Sequence, residues 1–168
     1  MATGTPATIA LTRAGIAFVP HEYAARSSSD RAEPGARVPG YGIEAAEAIG
    51  ADPDRVLKTL LADVDGVGLV VGVVPVSGAL DLKALAAASG GKRAIMARPE
   101  VAERRTGYVV GGISPIGQRT ALPTFVDETA GLWESVYVSG GRRGFDIELA
   151  PADLIAITAG VYADIARR

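Results

Sequence analysis

The sequence predicts an α+β fold: a mixed, twisted, barrel-like β-sheet flanked by helices, in a single domain spanning residues 1–168. Two stretches carry that expectation. VLKTLLADV (56–64) and GLVVGVVPV (68–76) are apolar, strand-like runs joined around Asp65-Gly66, a hairpin signal. YVSGGRRGFDIEL (137–149) places strands on either side of a glycine-rich turn, and FDIEL alternates apolar with acidic residues. Helical and extended segments intermix elsewhere without a strict βαβ rhythm.

Taken in order, residues 6–14 predict a short helix ended by Gly15, and IAFVPHEY (16–23) a strand. AARSSSDRAEPGARVPG (24–40) is polar and rich in Ser, Pro, Gly and Arg, so it predicts a long loop. IEAAEAIG (43–50) predicts a helix stopped by Gly50, and Asp52-Pro53 a turn. After the hairpin, Asp81 is placed to cap a helix running to Ser89, with Gly90 and Gly91 closing it. RAIMA (93–97) predicts a short strand, and Pro99 suits the first turn of the helix EVAERR. Strands follow near LPTFVDE, SVYVS and FDIEL. Pro151 opens a last helix in which Leu154, Ile155, Ile157 and Ile165 are spaced for packing.

Composition narrows the chemistry. The chain has no cysteine, which excludes disulfides, thiolate metal sites and a cysteine nucleophile. Its single histidine, His21, argues against a histidine-cluster metal site and against a Ser-His-Asp triad. We therefore expect neither a metal nor a cofactor. MATGTPATIALTRAG lacks the basic start and unbroken apolar run of a signal peptide, and GVGLVVGVVPV (66–76) is too short to span a bilayer. A cytoplasmic location is expected, with no membrane partner. The net charge of −2 argues against binding nucleic acid by bulk electrostatics.

Four stretches are candidates for function. In VLKTLL, both faces of the strand look buried, yet Lys58 sits among them. The ordinary reading is a lysine whose stem packs while its head reaches water. The functional reading is a cation held in a partly dry pocket, fit to anchor a phosphate or developing negative charge, or to lose its proton and act as a base. In GGISPIG (111–117), adjacent glycines let the backbone approach a ligand and aim N–H groups at it, although glycine pairs commonly mark simple turns. SGGRRGFD (139–146) is either a hairpin with a solvated basic tip or a site. In the second case Ser139 and Asp146 bond a ligand, and Arg142 and Arg143 touch phosphates. HEY (21–23) offers His21 and Tyr23, both more often structural on a strand.

Together, VLKTLL, VPVSGALDLKALAAASGGKRAIMA, RTGYVVGGISPIGQ and YVSGGRRGFDIEL resemble, in order and spacing, the YbaK family. These are free-standing bacterial deacylases of Cys-tRNA(Pro), related to the editing domain inserted in bacterial prolyl-tRNA synthetases. The resemblance runs from about Ile16 to Arg167. It places the family's essential lysine on Lys58 and its ligand-approaching glycine on Gly111, followed by Gly112. The family's pocket tyrosine, serine and aspartate fall on Tyr23, Ser139 and Asp146. A position often filled by Phe is Tyr41 here. Two departures stand out: Ala24 and Ala25 replace a frequent second histidine, and the 24–40 loop is reshaped.

The resemblance implies trans-editing of mischarged Cys-tRNA(Pro) by substrate-assisted chemistry, in which the cysteine thiol attacks its own ester and a thiolactone is released. Lys58 and Gly111 are then catalytic, and Tyr23, Tyr41, Gly112, Ser139 and Asp146 bind substrate. The aminoacylated acceptor end of tRNA is the expected partner, with prolyl-tRNA synthetase as a companion. A deacylase of another mischarged tRNA, such as Ala-tRNA(Pro), and a non-catalytic module binding a nucleotide or RNA end remain alternatives. The basic residues Lys92, Arg93, Arg98, Arg104, Arg105, Arg119, Arg142 and Arg143 form either an acceptor-stem patch or a solvated surface.

Overall fold

The computed structural model describes residues 4–24 and 41–168, and for Tyr41 only the backbone. The expected 24–40 loop therefore lies, from Ala25 onward, outside the described residues, as does the ring of Tyr41.

In chain order the elements are α1 (Pro6–Ala14), β1 (Val19–Glu22), α2 (Tyr41–Ile49), a 3-10 turn (Pro53–Arg55), β2 (Leu57–Val64), β3 (Gly68–Pro75), β4 (Ala79–Leu80) and α3 (Leu82–Ser89). There follow β5 (Ala94–Met96), α4 (Pro99–Thr106), β6 (Thr124–Asp127), a second 3-10 turn (Glu128–Leu132), β7 (Val136–Arg142), β8 (Phe145–Leu149), α5 (Pro151–Thr158), β9 (Val161–Ala163) and β10 (Ala166–Arg167). Local chemistry explains many of the boundaries. The Asp81 side chain accepts from the Ala84 N–H at 3.0 Å and so satisfies one of the orphan donors at the start of α3. Thr5 does the same for α1 through the Thr8 N–H, and proline occupies the first turn of α1, α4 and α5.

β5, β2 and β3 are antiparallel, and β6 and β9 continue the same sheet in parallel, giving the order β5-β2-β3-β6-β9. A second, antiparallel sheet has the order β1-β8-β7. The two meet at one parallel bridge between Val56 and Tyr137. The sheet system is twisted and mixed as expected, but it does not close into a barrel, because β7 parts from β2 beyond that bridge.

The central strands bury both faces. Leu57, Leu61, Val71 and Val73 enter the main core with Val138, Phe145 and Ile147 of the second sheet and with Leu11 and Leu154 of the helices. On the opposite face, Ala62, Val64, Val70 and Val74 pack with Leu85 and Ile165, while Val56 and Val76 pack with Ala46 and Tyr137. Lys58 belongs to this second face and falls in the break between the two smaller clusters.

The C-terminus departs from expectation. The last helix stops at Thr158, and Ala159 turns left-handed (φ 53°), so Ile165 lies beyond it. Ile165 is nonetheless fully buried, on the other side of the sheet. The buried carboxylate of Asp127 fixes that segment: its Oδ1 accepts from the Ile165 and Ala166 N–H groups at 3.1 and 3.0 Å. The hydroxyl and amide of Thr129 take the other oxygen.

Candidate active site

Where β7 leaves β2, a cavity of about 470 Å³ opens. Register explains which residues meet there. Val56 lies beside Tyr137, so two residues on, the parallel direction carries Lys58 toward Ser139; Ser139 in turn pairs with Asp146 across β7 and β8. Directly paired residues share a sheet face. Tyr23, whose N–H is held by Gly144 at 2.9 Å, completes the row from the end of β1. Tyr23, Lys58, Gly111, Ser139 and Asp146 all line this one cavity.

Asp146 is buried (5% exposed), and burial pushes its carboxyl up to about 7, opposed by a hydrogen bond from the Tyr23 hydroxyl to Oδ1 at 3.4 Å. Near neutrality it is therefore divided between acid and carboxylate. Burial and the Asp146 charge push the Tyr23 phenol well above its ordinary value, so Tyr23 stays a donor. Lys58 is half-buried, and burial lowers its ammonium below the usual lysine value. Among the described residues it forms no ion pair. Ser139 Oγ accepts from the Gly141 N–H at 3.1 Å, at a bulge in β7, and keeps its own proton to donate.

Gly111 has φ of 94°, a conformation L side chains rarely adopt, so glycine is needed to present this turn to the cavity. Gly112 does something different. It does not line the cavity: a Cβ there would lie 2.7 Å from Arg142 Cα and 2.9 Å from Arg143 N. The two glycine-rich motifs thus pack backbone to backbone, and the β7–β8 hairpin sets the position of the Gly111 turn. Buried Ser114 stiffens the same loop by accepting from the Ile116 N–H at 3.2 Å.

His21 joins a neighbouring network. Its Nε2 bonds Glu148 Oε1 at 2.9 Å and its ring meets the Tyr137 ring edge-on at 5.2 Å. The Ser135 hydroxyl, joined by His21 and Arg55, holds Glu148 below the usual carboxylate range. Asp146 and Glu148, two residues apart on one face of β8, are thus driven in opposite directions by dry and polar surroundings. At the hairpin tip, exposed Arg142 pairs with Glu22 at 2.7 Å and covers the Phe145 ring.

Several lining residues carry no motif. Ile43, Leu60, Met96, Val110 and Ile113 make much of the wall apolar, and Thr59 contributes a hydroxyl. Periodicity marks Leu60 as core and gives no sign that a cavity reaches it. Ile43 lines it because α2 docks closely on the chain just past β3, where a Cβ on Gly42 would collide with Val76. Among the described residues, no group of three His, Cys, Asp or Glu side chains is placed to hold a metal, and no helix is long and apolar enough to cross a membrane.

A mixed α+β sheet whose cavity combines a lysine, a buried aspartate and a glycine turn is fit to bind a small polar group. The model of the aminoacyl-tRNA editing domain matches residues 39–157, and the chain belongs to that family. It is 42% identical over 120 residues, covering 71% of this chain and 73% of the other, to a candidate Cys-tRNA(Pro)/Cys-tRNA(Cys) deacylase, EbsC, of Enterococcus faecalis (strain ATCC 700802 / V583). A crystal structure of a candidate trans-editing enzyme for prolyl-tRNA synthetase superposes with a TM-score of 0.78 at 26% identity, covering 99% of this chain and 100% of the other. Hypothetical protein APE2540 shares the fold at a TM-score of 0.80 and 23% identity, over 97% of this chain and 100% of that one.

Proposed function

We propose that this protein is a trans-editing aminoacyl-tRNA deacylase that clears mischarged Cys-tRNA(Pro), with residues 1–168 forming one editing domain. The observation that carries the reading is the meeting of Lys58, Gly111, Ser139 and Asp146 in one cavity, in a chain 42% identical to EbsC.

In this reading the cavity takes the aminoacyl end of the tRNA, and Lys58 holds the terminal phosphate as a fixed cation. The Gly111 backbone positions the ester carbonyl, with Tyr23, Tyr41, Ser139 and Asp146 bonding the remaining polar groups. The substrate's own thiol sulfur attacks its ester carbonyl carbon. A C–S bond forms, the C–O bond to ribose breaks, and the thiol proton ends on the ribose oxygen. The products are a thiolactone and free tRNA, and the atoms balance without a protein nucleophile. The protein's contribution is orientation and stabilisation of negative charge on the carbonyl oxygen. An intramolecular attack gains up to about 7–11 kcal/mol over a bimolecular one, an advantage that the substrate carries in itself and that the protein completes by orienting it.

With a net charge of −2, the protein needs help in choosing its tRNA, and prolyl-tRNA synthetase is the partner proposed for that step. The test is deacylation of Cys-, Ala- and Ser-tRNA(Pro) side by side with substrate in excess. Multiple turnovers on Cys-tRNA(Pro) are expected. Clearance of Ala-tRNA(Pro) alone would overturn the cysteine assignment, and absence of turnover on all three would overturn the deacylase. Copurification with the synthetase, with and without tRNA, tests the partner.

A further inference from the structure

One edge of β2 is left open at the cavity. β5 pairs with β2 only at Ala62–Val64, and β7 is bridged to this strand only at Val56, just before β2 begins. Antiparallel strands alternate the direction of their main-chain groups. The Val76 N–H donates to the Val56 carbonyl at 2.8 Å, so Val56, Lys58 and Leu60 turn their main-chain groups toward β3. Leu57, Thr59 and Leu61 turn theirs the other way. The Leu61 carbonyl is taken there by the Ala97 N–H at 3.0 Å. The N–H and C=O of Thr59 face the gap, where no described strand pairs with them.

A second, independent feature marks the same residue. Thr59 Oγ1 is enclosed and has no hydrogen-bond partner among the described residues, although Thr59 as a whole is only part-buried and lines the cavity. A hydroxyl in that condition calls for a partner. One rotation about χ1 exchanges its position with that of the methyl or the hydrogen on Cβ.

An aminoacyl ester is chemically one strand residue: a nitrogen donor and a carbonyl acceptor on the same α-carbon. Resting on the deacylase reading, we infer that Thr59 binds this group as if it were one residue of an added strand. The α-amino group donates to the Thr59 carbonyl and, after rotation, to Oγ1. The Thr59 N–H donates to the ester carbonyl beside the Gly111 backbone, which supplies two donors where negative charge develops. The main-chain pair accepts any amino acid, whereas Oγ1 selects for a free ammonium. An N-acetylated group keeps one N–H, enough for the carbonyl, and has none left for the hydroxyl.

The test uses the non-hydrolysable amide 3′-(L-cysteinylamino)-3′-deoxyadenosine and its N-acetyl form, each titrated calorimetrically into wild type, Thr59→Val and Thr59→Ser. Wild type and T59S are expected to prefer the free amine by about tenfold or more, and T59V to lose that preference by weakening for the free amine alone. If T59V fails to fold, Thr59→Ala serves in its place with the same expectation. An unchanged preference in the hydroxyl-free variant, or a wild type that binds both analogues alike or neither, overturns the assignment. Because binding is read without turnover, these results stand apart from the charged-tRNA assay: a wild type that prefers the free amine yet clears no charged tRNA sinks the deacylase and leaves the amine recognition standing.

Discussion

The Tyr23 hydroxyl lies 3.4 Å from Asp146 Oδ1 and donates to it, tying the end of β1 to β8 beside it. Among the described residues this is the one side-chain hydrogen bond to a carboxyl that burial pushes toward its neutral form. Two residues from opposite ends of the chain thus set how much negative charge the cavity holds at neutral pH.

The pH dependence of stability follows from Asp146. Its carboxyl is raised from 3.8 in the unfolded chain to about 7 in the fold, so the folded state binds the proton more tightly. Its contribution to stability is greatest below about pH 4, falls as pH rises toward 7, and is level above that. Asp146→Asn should remove the slope and make the protein more stable than wild type at pH 8, by on the order of 2–4 kcal/mol at most. Urea unfolding at pH 4.5 and 8 measures it. A wild-type slope that survives in D146N would place the titrating group elsewhere.

Lys58→Met keeps the apolar stem and removes the charge. Because the lysine is half-buried with no ion pair among the described residues, Tm should stay the same or rise. Deacylation should fall about a hundredfold or more, the scale of losing a fixed charge at a reacting centre. Retained activity would remove Lys58 from the site.

Gly111 and Gly112 should fail differently. Gly112→Ala drives a methyl into the Arg142 backbone and should lower stability by about 1–3 kcal/mol. Gly111→Ala forces an L side chain to φ 94°, at a cost of about 1–3 kcal/mol, and shifts the turn that faces substrate. Activity per folded molecule, read beside thermal melts, should drop more for G111A. Equal losses would contradict the division of labour.

Asp127→Ala should loosen the C-terminal segment. It removes acceptors for the Ile165 and Ala166 amides in a buried place, a loss of about 2–4 kcal/mol. Hydrogen exchange at those amides should accelerate most, while protection in β7 and β8 falls only in line with global stability. Protection unchanged at residue 165 would refute the anchor.

Most local elements were legible in the chain from short-range signals. Proline and glycine at the helix ends, Asp81 at its cap, Asp65-Gly66 between two apolar runs and the alternation of FDIEL are short-range signals, because caps, turns and pleats involve residues a few positions apart. The sequence also showed Lys58 as chemically odd for where it lies, and offered Gly111, Ser139 and Asp146 as candidates that the family resemblance then picked out. Local reading failed at Ile165, which the helical period placed on α5 and which a buried carboxylate 38 residues away holds across the sheet instead. Gly112, expected among the substrate contacts, packs against the Arg142 backbone behind the cavity lining. That the β7 pairing stops after one bridge, so that Lys58 meets Ser139 and Asp146 across an opening rather than across a paired strand, depends on long-range packing. Nothing in the local pattern of VLKTLL distinguishes an edge that is paired from one that is open, and that difference is what leaves Thr59 facing a cavity.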